Sequence, residues 1–181
     1  MSKKIFLLIV FAFFFVIIVF FYLLVIERDP SNLPSQLIEK EVPIFNSKLL
    51  FNGKKFISTN EFKNNITVVN FFATWCAPCR DEHKYIIELS KDSSIKIIGI
   101  NYKDNPNKAI VWLKELKNPY FKVITDPKGK IAIDWGVYGI PETFLVNSKG
   151  IIKYKHVGPI NKIIYRKFIK KISMLKKNEK I

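Results

Sequence analysis

Cys76 and Cys79 are the only cysteines in the chain, and two residues separate them. On the first turn of a helix, positions i and i+3 lie side by side, within disulfide reach. Such a pair divides into an attacking thiol and a resolving one. A sulfur at the helix N-terminus meets unpaired N–H groups and the positive end of the helix dipole, which favour the thiolate. That position belongs to Cys76, while Cys79 stands one turn further in. The same spacing is also half of a zinc site, which needs further ligands. His83 and His156 are the only histidines available for that role.

The elements that must position this pair are legible around it. Val68, Val69, Phe71 and Phe72 form an apolar run that reads as a buried strand. After Ala73 and Thr74 the pattern becomes helical, with Tyr85, Ile86 and Leu89 at three- and four-residue spacing, to about Ser90. The cysteines therefore sit where a strand delivers the chain into a helix, with Trp75 before them and Pro78 between them. Glu82 follows Cys79 by three residues and falls on the same side of that helix. It is a candidate to shuttle the proton that Cys79 must lose, or else a surface acid balancing Arg80 or Lys84. His83 and His156 read as surface histidines rather than ligands.

Residues 5–26 carry no charge. At ~1.5 Å per residue they span roughly 33 Å, enough to cross a bilayer. A cleavable signal peptide has a shorter apolar region and a small-residue cleavage site. Here Glu27, Arg28, Asp29 and Pro30 follow instead, which favours an uncleaved signal anchor. Lys3 and Lys4 precede the run, whereas Glu27, Asp29, Glu39 and Glu41 outnumber Arg28 and Lys40 after it. This asymmetry keeps residues 1–4 in the cytoplasm and exports the remainder, to a compartment where disulfides persist. Residues 27–41 read as a polar, proline-containing linker, and residues 42–181 as one domain.

Of the 181 residues, 49% are hydrophobic and 16 are phenylalanine, so a full core is affordable; net charge is +15. A basic chain invites a nucleic-acid reading. The excess is nearly all lysine, and much of it lies on the terminal helix after Asn161. There Ile164, Tyr165, Phe168, Ile169, Ile172 and Leu175 form an apolar face with lysines opposite. A solvated helix face explains that pattern, and no nucleic-acid partner is expected.

Ahead of the cysteines, residues 49–51 and 54–57 read as a hairpin across a type I′ Asn52-Gly53 turn. Ser58, Thr59, Asn60 and Glu61 match a capping box opening a short helix. Beyond them, residues 95–101 form a second apolar strand, and Asn105-Pro106 opens a helix. Residues 123–125 form a short strand, and residues 131–135 a short helix. The chain closes with a strand after Pro141, a turn at 147–150, a returning strand over 151–156 and the terminal helix. Strands alternating with helices, closed by a hairpin and a helix, describe an α/β sandwich.

The segment VVNFFATWCAPCRDEH (residues 68–83) resembles the active site of the thioredoxin superfamily. Gly139-Ile140-Pro141-Glu142-Thr143-Phe144 looks like the cis-proline loop of that fold, which lies against the first cysteine. Together with residues 99–113, 117–120 and 136–158, these motifs are similar to the membrane-anchored CcmG/DsbE group of cytochrome c biogenesis proteins. The resemblance implies a thioredoxin-like fold: a central mixed sheet flanked by helices, with an N-terminal hairpin and a central insertion. It implies a reductase anchored in the inner membrane and facing the periplasm. Its expected partners are apocytochrome c or a cytochrome c maturation thiol protein, and a transmembrane electron donor re-reduces it. Cys76, Cys79 and Glu82 are the expected catalytic residues. Trp75, Pro78, Tyr138, Ile140, Pro141 and Glu142 are expected to line the substrate groove, with Ile140 pairing an extended substrate segment and Glu142 making the groove acidic. No cofactor and no metal is expected. The alternatives are a general exported thiol oxidant, or an assembly factor that delivers copper with His83 as a nearby third ligand.

Overall fold

The structure is a computed structural model that describes residues 3–26 and 36–179. Contacts divide the chain into an N-terminal unit ending at Leu33 and a larger unit from Pro34 onward. In the first unit, helix α1 (Lys3–Ile26) is unbroken, and its stretch Lys3–Leu23 is long and apolar enough to cross a bilayer. The greater part of the expected linker, residues 27–35, lies outside the described residues.

The second unit is built on a five-stranded mixed sheet in the order β5-β4-β3-β6-β7. Its strands are β3 (Ile66–Phe72), β4 (Ile95–Tyr102), β5 (Lys122–Asp126), β6 (Glu142–Val146) and β7 (Ile152–Val157). The first three are parallel; β6 runs antiparallel to β3, and β7 to β6. Helices α2 (Ala77–Ser90) and α3 (Pro106–Glu115) connect the parallel strands, and α5 (Lys162–Glu179) closes the chain. The short α4 (Lys130–Asp134) and β5 lie between α3 and the β6–β7 hairpin, where the central insertion is expected. Asn105 caps α3 through hydrogen bonds from Asn107 N and Lys108 N, with Pro106 at its first position.

Strand β3 is central and buried along its length, so both of its faces must be apolar. Ile66, Val68 and Phe72 point into one core, against α2, α3 and α5. Val69 and Phe71 point into the other, where Trp135, Phe144, Phe62 and Phe45 pack edge to face. Asn70 falls on the first of these faces as its one polar residue. The terminal helix packs through Phe168, Ile172 and Leu175 with Ile164 and Tyr165 beside them, while Ile169 is 39% exposed.

Three boundaries differ from the expectations. The N-terminal hairpin pairs β1 (Asn46–Lys48) with β2 (Phe56–Ser58), and residues 49–55 connect them. Neither Asn52 nor Gly53 has the positive φ that a type I′ turn requires. Leu50 instead donates its N–H to Val123 O at 2.8 Å, and Leu49 bridges Ile124. The open edge of β5 thus captures the residues that the turn pattern assigned to the hairpin. The capping box does not form either: Ser58 makes no side-chain cap, and residues Thr59–Phe62 make a single 3-10 turn. Glu61 turns to Lys122 at 2.7 Å instead, and Phe62 is fully buried. The linker also ends earlier than residue 41. Glu39 N donates to Ile152 O and Ile152 N to Lys40 O, which covers the β7 edge, and Leu37 and Ile38 pack on the second core.

Candidate active site

Cys76 is the N-cap of α2, with extended backbone, and Pro78 occupies the first turn. The fixed φ of proline suits that turn, and the N–H it lacks would have no helical partner there. Cys76 and Cys79 are joined as a disulfide with Cα atoms 5.3 Å apart. Cys79 N donates to Cys76 Sγ at 3.2 Å. On reduction that N–H and the helix N-terminus face the Cys76 sulfur and favour its thiolate. Cys79 is enclosed at 2% exposure, against 5% for Cys76.

The loop before β6 lies across the disulfide. The Ile140–Pro141 bond is cis, as the resemblance implied, and Ile140 O lies 3.6 Å from Cys76 Sγ. Trp75 and Tyr138 stand on the surface, 59% and 71% exposed. Trp75 is anchored by its Nε1–H to Lys103 O at 3.2 Å. It forms one wall of a cleft of about 550 Å3 with Thr74, Lys108, Val111, Trp112 and Glu115. Pro78 is exposed as well. Cys76 thus lies against Ile140 O, Trp75 and Pro78 stand exposed on either side of it in the chain, and Cys79 and Pro141 are buried.

The two acids are not where a surface reading puts them. Glu82 is 1% exposed. Its Oε1 accepts from Asn70 Nδ2 at 2.8 Å and its Oε2 from Ile160 N at 2.7 Å. Burial pushes its pKa up to about 7, although both hydrogen bonds pull the other way. Such an acid exchanges its proton near neutrality, one helical turn from Cys79.

Glu142 overturns the expectation of an acidic groove. It is fully buried. Lys155 Nζ pairs with it at 2.8 Å and also donates to Gly136 O at 2.7 Å. The other carboxylate oxygen accepts from Tyr138 N and Gly139 N. An unpaired buried carboxylate is costly, so a strand-start acid on the inward side is held by a lysine and two amides. Its charge is spent on fixing the 138–141 loop rather than offered to a partner.

The histidines are also internal. His83 packs edge-on to Trp112 at 4.7 Å, its Nε2 lies 2.9 Å from Lys117 O, and burial lowers its pKa. It is thus committed to the segment before β5 rather than exposed on α2. His156 is 7% exposed, edge-on to Phe168, with Nε2 3.4 Å from Pro159 O. Both lie on element faces that tertiary packing covers.

Comparison with known proteins places this geometry. The redoxin family model matches residues 38–168. The thiol:disulfide interchange protein DsbE of Escherichia coli K12 is 46% identical over 143 residues, 78% of this chain and 77% of that protein. The DsbE of Vibrio cholerae is 45% identical over 133 residues, covering 74% and 72%. This chain belongs to the redoxin family, among the DsbE-type thiol:disulfide interchange proteins. Solved structures agree on the fold. A DsbF homologue from Corynebacterium diphtheriae superposes with a TM-score of 0.68 at 23% identity, over 82% of this chain and 97% of that one. A thioredoxin-family thiol:disulfide interchange protein from Chlorobium tepidum gives 0.60 at 22%, over 76% and 97%.

Within this DsbE-type frame, four residues matter that sequence reasoning passed over. Asp104 receives Thr74 N at 2.7 Å, Thr74 Oγ1 at 2.8 Å, Asn101 Nδ2 and Asn105 N. It ties the turn before Cys76 to the end of β4. Lys155 neutralises Glu142. Asn70 donates to Glu82, and Tyr120 O–H donates in turn to Asn70. Only Asn70 carried a local signal, as one polar residue inside an otherwise apolar strand.

Proposed function

We propose that this chain is a membrane-anchored thiol:disulfide oxidoreductase that reduces disulfides of thiol proteins in cytochrome c maturation. The observation that carries the chemistry is the Cys76–Cys79 pair at the N-terminus of α2, with Ile140 O and the cis-proline loop against Cys76. Reduced Cys76, as thiolate, attacks one sulfur of the substrate disulfide. A Cys76–substrate bond forms and the other substrate sulfur leaves as thiolate. Cys79 then loses its proton and attacks Cys76 Sγ, which releases the second substrate thiol and closes the intramolecular disulfide. Two electrons pass to the substrate, and a dithiol donor must return them to Cys76–Cys79. Glu82 takes the proton of Cys79 and delivers it to the departing sulfur.

The substrate lies along Trp75, Pro78, Ile140 and Pro141, with Tyr138 at the rim. Pro141 lacks an N–H and a ligating side chain, so it crowds Cys76 without occupying it. The resemblance to the CcmG/DsbE group supports apocytochrome haem-site disulfides, or a maturation protein carrying the same thiols, as substrates. It also supports a transmembrane donor. Helix α1 and the charge asymmetry around it support an inner-membrane anchor with residues 42–181 on the periplasmic side.

The test is capture. Cys79→Ser, added to an oxidised haem-site peptide, should accumulate a covalent adduct through Cys76 that dithiothreitol releases. Absence of any adduct, at a concentration where the unaltered protein reduces the peptide, would sink the scheme.

A further inference from the structure

Asn70 is a polar side chain in the middle of a central strand, 1% exposed. Burial of an amide is tolerated when its donors and acceptor are matched. Asn70 Nδ2 donates to Glu82 Oε1 at 2.8 Å and to Thr143 Oγ1 at 3.0 Å, and Asn70 Oδ1 accepts from Tyr120 O–H at 2.7 Å. The phenol thereby sets which end of the amide faces Glu82. With the hydroxyl donating to the oxygen, the nitrogen is turned to the carboxylate. A reversed amide would set its oxygen against Glu82 and leave the phenol proton without its acceptor.

The position of Tyr120 is built with care for this contact. Its ring stacks on Phe72 at 5.0 Å. Gly99 leaves the room, since a Cβ there would lie 3.0 Å from the Tyr120 ring and 2.9 Å from Phe72. Asn118 Oδ1 accepts from Tyr120 N at 3.0 Å, and His83 holds the adjoining Lys117 carbonyl. Burial, and then the charge of Glu82, hold the phenol pKa well above its usual value, so it stays a donor throughout the working range.

We propose that Asn70 and Tyr120 are positioning residues for the resolving step: Tyr120 O–H fixes the Asn70 amide so that its N–H stabilises the Glu82 carboxylate, the form that accepts the proton of Cys79. The inference rests on the reading of Glu82 as that base and adds what controls it. The groups facing Glu82 are Asn70 from β3, Tyr120 from the segment before β5, Ile160 N from the segment before α5 and, one turn away on its own helix, Cys79. Of these only Tyr120 and reduced Cys79 titrate, and Tyr120 does so far above neutrality. Thr143 of β6 acts through Asn70 and is uncharged. His83, next on α2, is turned to Trp112 and Lys117 O.

The experiment uses the full chain and two readouts. The first is the pH dependence with which Cys79 resolves a preformed Cys76–glutathione mixed disulfide. The second is the carboxyl 13C titration of Glu82 in the oxidised protein. Tyr120→Phe keeps the ring and its stacking but removes the donor. It should move both midpoints upward by about one pH unit, the scale of one hydrogen bond to a charged group. The plateau rate at high pH should be unchanged. Asn70→Leu, which has no donor for Glu82 and adds no titrating group, should move them the same way. Unmoved midpoints in folded Tyr120→Phe, alongside a resolving limb that disappears in Glu82→Gln, would overturn the positioning pair and leave the base in place. A limb that survives Glu82→Gln overturns both.

Discussion

Glu82 is an acid that two donors satisfy and burial opposes, and the opposition has a measurable consequence for folding. In the unfolded chain it loses its proton near the ordinary value of 4.5, and in the folded protein near 7. Between those values the folded state binds more protons than the unfolded one, so stability falls as pH rises through this window and is level above it. The full shift corresponds to about 3 kcal/mol. Glu82→Gln removes that slope. Denaturant unfolding of the oxidised protein should show the variant gaining on the unaltered chain from pH 5 to pH 8. Equal slopes would mean that Glu82 ionises as freely in the fold as outside it. His83, whose pKa burial lowers, contributes stability that is lost as pH drops below about 6.5. That contribution is common to both proteins and cancels in the comparison. A group that destabilises the fold when charged, placed one turn from the resolving thiol, fits a functional rather than a structural reason for its burial.

At the scale of elements, the active site is a junction of three segments held by separate devices. Proline and the N-cap start α2 at Cys76. Asp104 gathers the Thr74 turn and the start of α3. Glu142 and Lys155 hold the loop that lies on the disulfide. The last device makes a sharp prediction. Lys155→Met leaves a buried carboxylate without its cation, and Glu142→Gln leaves a buried ammonium. Each should cost about 3–5 kcal/mol in unfolding free energy. The double variant should lose less than the sum of the two, because neither charge then remains unpaired. Additive losses would show that the two groups do not depend on each other. The β4 element sets a different limit. Gly99→Ala forces a methyl group against Phe72 and Tyr120, and overpacking of this kind costs about 1–3 kcal/mol. A midpoint unchanged from the parent would mean the stack shifts freely.

At the scale of the whole molecule, an apolar helix and an α/β unit share one chain. The larger unit has two cores on opposite faces of its sheet, and both of its edges are covered by residues N-terminal to β3. Removal of residues 1–35 should therefore move the protein from the membrane to the soluble fraction while leaving its thermal unfolding unchanged. Co-sedimentation with membranes after that deletion would show a second attachment. Much of this arrangement was legible in residue order. The Cys76–Cys79 spacing, Pro78, the apolar run of β3, the Asn105 cap and the uncharged stretch of α1 are local signals. They act through backbone geometry within a few residues, so sequence alone determined them. The cis-proline loop was legible as a motif because its residues are contiguous. Tertiary structure decided the rest. A polar residue on an amphipathic element reads as solvated unless something covers it: segments 34 and 78 positions away reach His83 and Glu82, the hairpin partner strand holds Glu142, and the terminal helix packs Phe168 on His156. The edge of β5 likewise redirected the Asn52-Gly53 hairpin, because long-range pairing outweighed turn propensity. What Cys76 and Cys79 are was written in their spacing. What sets the proton traffic beside them depends on Asn70, Glu82 and Tyr120 meeting in a core that only folding assembles.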